Sequence, residues 1–111
     1  MNARFDLTGR SVIITGGGKG IGKVYAQEFA KVGARVVAAD IDGAAAKSVA
    51  EALAAQGFET IGLATDIASE ESTQAMAQAA LERFGAIDVL INNASLMSVL
   101  PRWIKRGYRH A

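Results

Sequence analysis

Short apolar runs alternate with longer stretches of helical periodicity along this chain of 111 residues. Four of the runs predict strands, because β-branched residues bounded by glycine or polar residues are typical of buried strands. They are SVIIT at 11–15, RVVAAD at 35–40, FETIGLA at 58–64 and IDVLIN at 87–92. Gly62 weakens the prediction of the third strand, because glycine is unfavourable inside a strand.

Three helices are predicted between the strands: one at 20–32, one from Asp42 to Gly57 and one from Ser69 to Gly85. Asp42 and Ser69 are residue types that cap helix N-termini, and a glycine stands where each helix would end. The expected inner faces are Ile21, Val24, Tyr25 and Phe29 in the first helix and Met76, Ala80 and Phe84 in the third.

The order of elements is therefore β-α-β-α-β-α-β. Parallel strands joined in this way need right-handed crossovers, with helices packed on the faces of the sheet. We predict an α/β fold, a Rossmann-like doubly wound parallel sheet of about four strands, within residues 1–95.

Composition narrows the classes of function. Half of the residues are hydrophobic, which disfavours disorder, and the length allows one domain. The absence of cysteine excludes a disulfide framework, a thiolate metal site and a cysteine nucleophile. No apolar leader and no run of 18 apolar residues occurs, so we expect a soluble, cytoplasmic protein.

Charge is distributed unevenly along the chain. Residues 1–95 contain 8 basic and 11 acidic side chains, whereas residues 96–111 contain 4 basic and no acidic ones. A basic tail suggests nucleic acid or acidic lipid, but this one lacks aromatic periodicity and a helical face. We expect a solvated tail over 96–111 and neither nucleic acid nor membrane as a partner.

The stretch SVIITGGGKGIGKV, at 11–24, places five glycines directly behind the first strand. At the carboxyl edge of a parallel sheet, glycines let the main chain approach a pyrophosphate. The free N–H groups of the following helix supply donors and a partial positive charge. The stretch indicates a phosphate-binding turn, although a tight turn without a ligand would also explain two of the glycines.

Three phosphate-binding patterns compete for this stretch. G-x-G-x-x-G fails in every register, because Ile21 and Lys23 stand where it needs glycine. The Walker A pattern is matched except at its last position, where Val24 stands in place of the serine or threonine whose hydroxyl would hold Mg²⁺. The third pattern, T-G-x-x-x-G-x-G, is met by Thr15, Gly16, Gly20 and Gly22.

With this third pattern the chain resembles the short-chain dehydrogenase/reductase family, whose members move a hydride between nicotinamide and an alcohol or ketone. The resemblance covers about residues 7–95. Asp40, 20 residues after Gly20, has the offset of an acid that binds the adenosine ribose, which implies NAD. Lys19 favours NADP, but we expect Asp40 to prevail, because a lysine side chain can turn to solvent.

Two further segments resemble the family. Asp66 and Ile67 match its adenine-binding pair, although Asp66 could equally cap the helix that begins near Ser69. Residues 92–95 match N-N-A-G, with Ser95 in place of the usual glycine. The resemblance implies this cofactor-binding set: Gly16, Gly18, Lys19, Gly20, Ile21, Asp40, Asp66, Ile67, Asn92 and Ala94.

The family's catalytic residues have no match in the sequence. The family uses a tyrosine with a lysine four residues later, together with a serine and an asparagine. Tyr25 is followed at that spacing by Phe29, and Tyr108 is too close to the end of the sequence. We predict no catalytic and no metal-binding residue, and expect this chain alone to bind NAD without turnover. A non-catalytic dinucleotide-binding or interaction fragment is the alternative.

The fourth strand is interior in the family, so its apolar residues would form an exposed sheet edge in this chain. We therefore expect marginal stability, aggregation, or pairing with a second copy or with another chain through that edge.

Overall fold

The computed structural model describes residues 6–94 of the chain. Its elements, in order, are β1 (Ser11–Thr15), α1 (Gly20–Lys31), β2 (Arg35–Asp40), α2 (Gly43–Ala55), β3 (Thr60–Ala64), α3 (Glu70–Phe84) and β4 (Val89–Asn92). The strands form one parallel sheet in the order β3-β2-β1-β4. The predicted doubly wound α/β fold is confirmed, and β3 and β4 each begin two residues later than expected.

The direction of the chain across the sheet reverses at β1. From β1 it proceeds through β2 to β3 on one side, and β4 then returns to the other side of β1. Thr15 pairs in register with Ala39 of β2 and with Asn92 of β4. Ligands of such sheets dock at the carboxyl ends of the strands that flank this reversal.

Helices cover both faces of the sheet. α1 and α2 pack on one face, where the core is formed by Val12, Ile14, Ala26, Ala30, Ala34, Val36, Val49 and Leu53. α3 packs on the other face, and the core there comprises Ile13, Val37, Ala39, Met76, Ala80 and Phe84. The predicted inner face of α3 is therefore confirmed, and β1 and β2 are buried from both sides, as their continuous apolar sequences require.

Helix caps fix where α2 and α3 begin. Asp42 Oδ1 accepts a hydrogen bond from the Ala45 N–H at 3.0 Å, and Ser69 Oγ accepts one from the Ser72 N–H at 3.1 Å. α3 ends at Gly85 in the left-handed conformation, with φ of 82°. The predicted caps are thus confirmed, and they set the position of the loops that precede each helix.

The prediction for the buried face of α1 was wrong. Ile21 is 60% exposed, Val24 48% and Tyr25 36%, and only Phe29 of the predicted set packs partly against the core. The buried residues of α1 are instead Gly22, Ala26 and Ala30, spaced four residues apart. Their small side chains let the helix axis approach the sheet closely, so bulkier side chains cannot occupy that face.

Ser95 and the predicted basic tail, 96–111, lie outside the described residues. None of the helices within residues 6–94 is both long and apolar enough to cross a lipid bilayer.

Candidate functional site

The glycine-rich turn connects the end of β1 to the start of α1 at the carboxyl edge of the sheet. Gly20, the first residue of α1, has φ of 54°, a conformation that side chains rarely adopt. A Cβ built there would meet no atom within 4 Å, so this face of the turn is open. An open, bare main chain at a helix start is accessible to a ligand.

Gly22 has a structural reason to lack a side chain. A Cβ at this position would lie 1.9 Å from the Gly16 carbonyl oxygen and 2.6 Å from Asn93 Nδ2. The first turn of α1 therefore rests directly on the backbone of the loop, and the segment after β4 closes over both. Gly22 serves packing, whereas Gly20 faces open space.

The first turn of α1 has free hydrogen-bond donors. Lys19 is the N-cap, and its side chain makes no capping hydrogen bond. Within residues 6–94, no hydrogen bond uses the N–H of Gly20, Ile21 or Gly22, whereas the Lys23 N–H donates to the Lys19 carbonyl at 3.2 Å. Three donors at the positive end of a helix form a binding position for an anion.

Asp40, the last residue of β2, uses both carboxylate oxygens to hold neighbouring backbone. Its Oδ2 accepts a hydrogen bond from the Gly18 N–H at 3.0 Å, and its Oδ1 accepts one from the Asp42 N–H at 3.0 Å. The Gly18 amide is therefore already bonded, unlike those of the α1 first turn. A carboxylate has about four acceptor positions, so Asp40 retains capacity for the hydroxyls of a ribose.

Lys19 forms an ion pair with Asp42, although its side chain is largely exposed. Lys19 Nζ lies 2.8 Å from Asp42 Oδ2, and both side chains are partly exposed. The hydrogen bond that Lys19 donates lowers the pKa of Asp42, with a further contribution from the Ala45 N–H. The same hydrogen bond raises the pKa of Lys19, and the charges of Asp42 and then Asp40 add to it.

Thr15 joins the ends of β1 and β4. Its buried hydroxyl accepts hydrogen bonds from the Asn93 N–H at 3.0 Å and the Ala94 N–H at 3.2 Å. It lies 3.0 Å from Asn92 Oδ1, to which it donates, and 3.4 Å from the Ile91 carbonyl. This side chain fixes the path of the segment after β4 beside the glycine-rich turn.

Asp66 and Ile67 lie in the turn after β3, and both are partly buried. Asp66 Oδ1 accepts a hydrogen bond from the Ala68 N–H at 2.9 Å, and the Asp66 N–H donates to Ser72 Oγ at 2.9 Å. Ser69, not Asp66, accepts from the first turn of α3. Asp66 therefore shapes the turn, and its second carboxylate oxygen has no hydrogen-bond partner within the described residues.

The predicted residues share the carboxyl edge of the sheet. The strand order places the Asp66 turn, Asp40, the glycine-rich turn and the Asn92–Ala94 segment side by side along that edge. Four neighbouring strands span roughly 14 Å at the usual spacing. Sequence reasoning missed the Lys19–Asp42 ion pair and the role of the Thr15 hydroxyl, although the threonine before the glycines was a usable signal.

A dinucleotide matches these groups chemically. The free N–H groups at the start of α1 suit a diphosphate, the bare Gly20 leaves room for it, and Asp40 suits hydroxyl groups one strand away. Within the described ranges, no group of three or more His, Cys, Asp or Glu residues is arranged to hold a metal ion. The edge thus has the donors and acceptors of a nucleotide site.

Comparison with known proteins agrees with this geometry. The model of the short chain dehydrogenase family matches residues 10–103. An uncharacterized oxidoreductase from Thermotoga maritima is 43% identical over 93 residues, and a 7alpha-hydroxysteroid dehydrogenase from Escherichia coli (strain K12) is 42% identical over 93. Each alignment covers 84% of this chain and 36% of the relative.

A solved structure gives the same result. A 7alpha-hydroxysteroid dehydrogenase complexed with NADH and 7-oxo glycochenodeoxycholic acid superposes with a TM-score of 0.81 at 38% identity. The match covers 87% of this chain and 39% of that protein. This chain therefore spans little more than a third of its relatives' length, and by its sequence and fold it belongs to the short chain dehydrogenase family.

Proposed function

We propose that this chain is the NAD-binding portion of a short-chain dehydrogenase/reductase and binds the dinucleotide across the carboxyl edge of its sheet. One observation carries the proposal. N–H groups at the start of α1 that have no partner within residues 6–94 and the Asp40 carboxylate lie at adjacent strand ends, and the Gly18–Asp40 hydrogen bond links them. A dinucleotide joins a diphosphate and a ribose covalently, so it can bind two such neighbouring groups together.

Every predicted residue except Lys19 has a direct role in this proposal. The N–H groups of Gly20 and Ile21 bind the diphosphate, with Gly16 and Gly18 forming the turn that presents them. Asp40 accepts hydrogen bonds from the adenosine ribose, and Asp66 with Ile67 borders the adenine. Asn92 and Ala94 border the nicotinamide half. When bound, NAD supplies the hydride-accepting ring, and the residues of this chain bind and orient it.

We also propose that NAD is preferred over NADP. The added phosphate of NADP would sit beside Asp40, and two like charges about 4 Å apart repel by roughly 4 kcal/mol at an effective dielectric constant near 20. Lys19, the nearby cation, already neutralises Asp42. Hydride transfer to or from an alcohol or ketone is the proposed activity of the whole protein, and its catalytic groups lie outside residues 6–94.

Titration of NADH fluorescence against the full 111-residue chain tests the proposal. We expect saturable binding that Asp40→Ala weakens about tenfold or more, since this variant loses the ribose acceptor and the Gly18 contact. Glu51→Ala, on an exposed position of α2, is the matched control and should leave binding unchanged. No saturation at millimolar NADH, or an Asp40→Ala variant as tight as wild type, contradicts the proposal.

A second proposal concerns self-association. Within residues 6–94, β4 pairs with β1 alone, and Leu90 of β4 is 57% exposed on the face that α3 covers elsewhere. An apolar edge strand pairs readily with another strand, and we propose a second copy of this chain as that partner. Light scattering after size exclusion should give a dimer mass that Leu90→Lys lowers to the monomer. A monomeric wild type at 100-fold the working concentration overturns it.

Cytoplasmic localisation stays a prediction.

A further inference from the structure

A triad of charges surrounds the point where a 2′-phosphate would distinguish the two dinucleotides. Asp40 ends β2, Asp42 caps α2, and Lys19 caps α1. The Asp42 N–H donates to Asp40 Oδ1 at 3.0 Å, and Asp42 Oδ2 contacts Lys19 Nζ at 2.8 Å. The three residues are therefore a connected unit with a formal charge of −1, in which one carboxylate is compensated.

Asp42 is held in place independently of Lys19. Its Oδ1 accepts the Ala45 N–H at 3.0 Å as the cap of α2, and its own N–H is bound to Asp40. Because the Ala45 N–H holds the carboxylate and Asp40 holds the main chain of Asp42, Lys19 meets a partner that is already in position. The ion pair therefore holds the Lys19 ammonium against the Asp42 carboxylate, so the ammonium is not free at the position where the ribose would bind.

We propose that Asp42 is a specificity-determining residue for the dinucleotide, because it sequesters Lys19, the cation of the glycine-rich turn. The proposal rests on the proposed NAD-binding function and goes beyond it by assigning the discrimination to two carboxylates. Asp40 repels the phosphate, and Asp42 withholds Lys19 from it. NADP would have to break the Lys19–Asp42 ion pair before gaining a cationic contact, whereas NAD leaves that pair intact.

The decisive variant is Asp42→Asn, since asparagine caps helices as well as aspartate does and the fold is retained. The charge of the triad becomes zero and Lys19 is released. We expect the affinity ratio of NADPH to NADH to rise about three- to tenfold, measured by fluorescence titration at 50 mM salt. At 500 mM salt the gain should shrink, because both side chains are exposed and screening is strong.

Two further variants separate release of Lys19 from a general change in charge. In the Asp42→Asn, Lys19→Met double variant the gain should disappear, because no ammonium remains to meet the phosphate. Lys19→Met should also lower the ratio more in the Asp42→Asn background than in the wild-type background, whereas a general charge effect would lower it equally in both. Glu28→Gln is the matched control, since it removes the acidic partner of Lys31, 3.3 Å away on α1, and should leave the ratio unchanged. Circular dichroism and urea unfolding of each variant report whether the fold is intact.

The outcomes are distinguishable. An unchanged ratio in Asp42→Asn, or a gain that persists in the double variant, overturns the inference while NADH binding by the wild-type chain still supports the proposed function. Failure of the wild-type chain to bind either dinucleotide overturns both. A gain that depends on Lys19 and that Glu28→Gln does not reproduce supports the assignment of Asp42.

Discussion

Replacing Thr15 by valine should test how the end of β1 holds the end of β4. Valine has nearly the shape of threonine, so the buried volume is kept while the hydroxyl is lost. That hydroxyl accepts hydrogen bonds from the N–H groups of Asn93 and Ala94, at 3.0 and 3.2 Å, and lies 3.0 Å from Asn92 Oδ1. The variant leaves two backbone donors facing a methyl group.

The expected cost follows from those contacts. A buried donor left without a partner costs about 1–3 kcal/mol. Asn93 and Ala94 are only partly buried, so water recovers part of that cost. We expect Thr15→Val to lower the free energy of unfolding by about 2–3 kcal/mol. With a slope of about 1–2 kcal/mol per molar urea, the midpoint should fall by about 1–3 M.

Thr15→Ser is the matched control. It keeps the hydroxyl and loses one methyl group, which costs about 1 kcal/mol in a buried position. The serine variant should therefore be more stable than the valine variant, and amide exchange at Asn93 and Ala94 should accelerate only with valine. If valine proves at least as stable as serine, the hydroxyl is not what joins β1 to β4.

Three further predictions concern other parts of the chain. Gly22→Ala places a Cβ 1.9 Å from the Gly16 carbonyl, so urea unfolding should show a loss of about 3 kcal/mol or more; a loss below 1 kcal/mol would contradict this packing. Ser11→Ala removes a buried hydroxyl that has no partner within the described residues, so urea unfolding should show no loss or a gain of about 1 kcal/mol.

The third of these concerns pH. The pKa of Asp42 is lowered from 3.8 and that of Lys19 raised from 10.5, each first by their mutual hydrogen bond. The contribution of Asp42 is therefore present above pH 3.8 and lost as pH falls through its lowered pKa. That of Lys19 is present below pH 10.5 and lost as pH rises through its raised pKa. The NADPH-to-NADH affinity ratio should be constant between about pH 7 and pH 9, above the ionisation of the 2′-phosphate near pH 6, and a titration within that range would show that another group sets it.

The elements of the fold were predictable because each strand and cap has a local cause. SVIIT and RVVAAD are buried on both faces and therefore read as continuous apolar runs, and Ser69 caps α3 through its own side chain. The face of α1 was not predictable from hydrophobic periodicity. Hydrophobic periodicity identifies a buried face by its large apolar residues. In α1 the contact with the sheet is made by Gly22, Ala26 and Ala30, whose small side chains allow a close approach.

The partner of Lys19 also could not be predicted from spacing. Asp40 and Asp42 stand two residues apart, and either could attract the ammonium. The structure decides between them through the backbone: the Gly18 and Asp42 N–H groups occupy Asp40, while Asp42 caps α2 and turns its second oxygen to Lys19. Such a choice depends on which carboxylate is already bonded, and that emerges only once β2, α2 and the glycine-rich turn are assembled.

The two sides of the glycine-rich turn differ in what they leave for a ligand. On the side of β2, the Gly17 N–H donates to the Ala39 carbonyl at 3.1 Å and the Gly18 N–H donates to Asp40 at 3.0 Å. On the side of β4, Asn93 Nδ2 donates to the Gly16 carbonyl at 3.4 Å. The sheet thus consumes the donors of Gly17 and Gly18, whereas the N–H groups of Gly20, Ile21 and Gly22 have no partner within residues 6–94.

We therefore expect an anion to bind at the start of α1 and not to the turn as a whole. Substitutions at 16–18 should act on binding through the fold, because an added Cβ meets β2, α2 or the segment after β4. Substitutions at Gly20 should act on binding directly, because a Cβ built there meets no atom within 4 Å, and their cost to the fold is limited to the strain of a side chain at φ of 54°. The two effects separate when unfolding free energy and NADH affinity are measured on the same variants, since Gly20 variants should lose affinity out of proportion to their loss of stability.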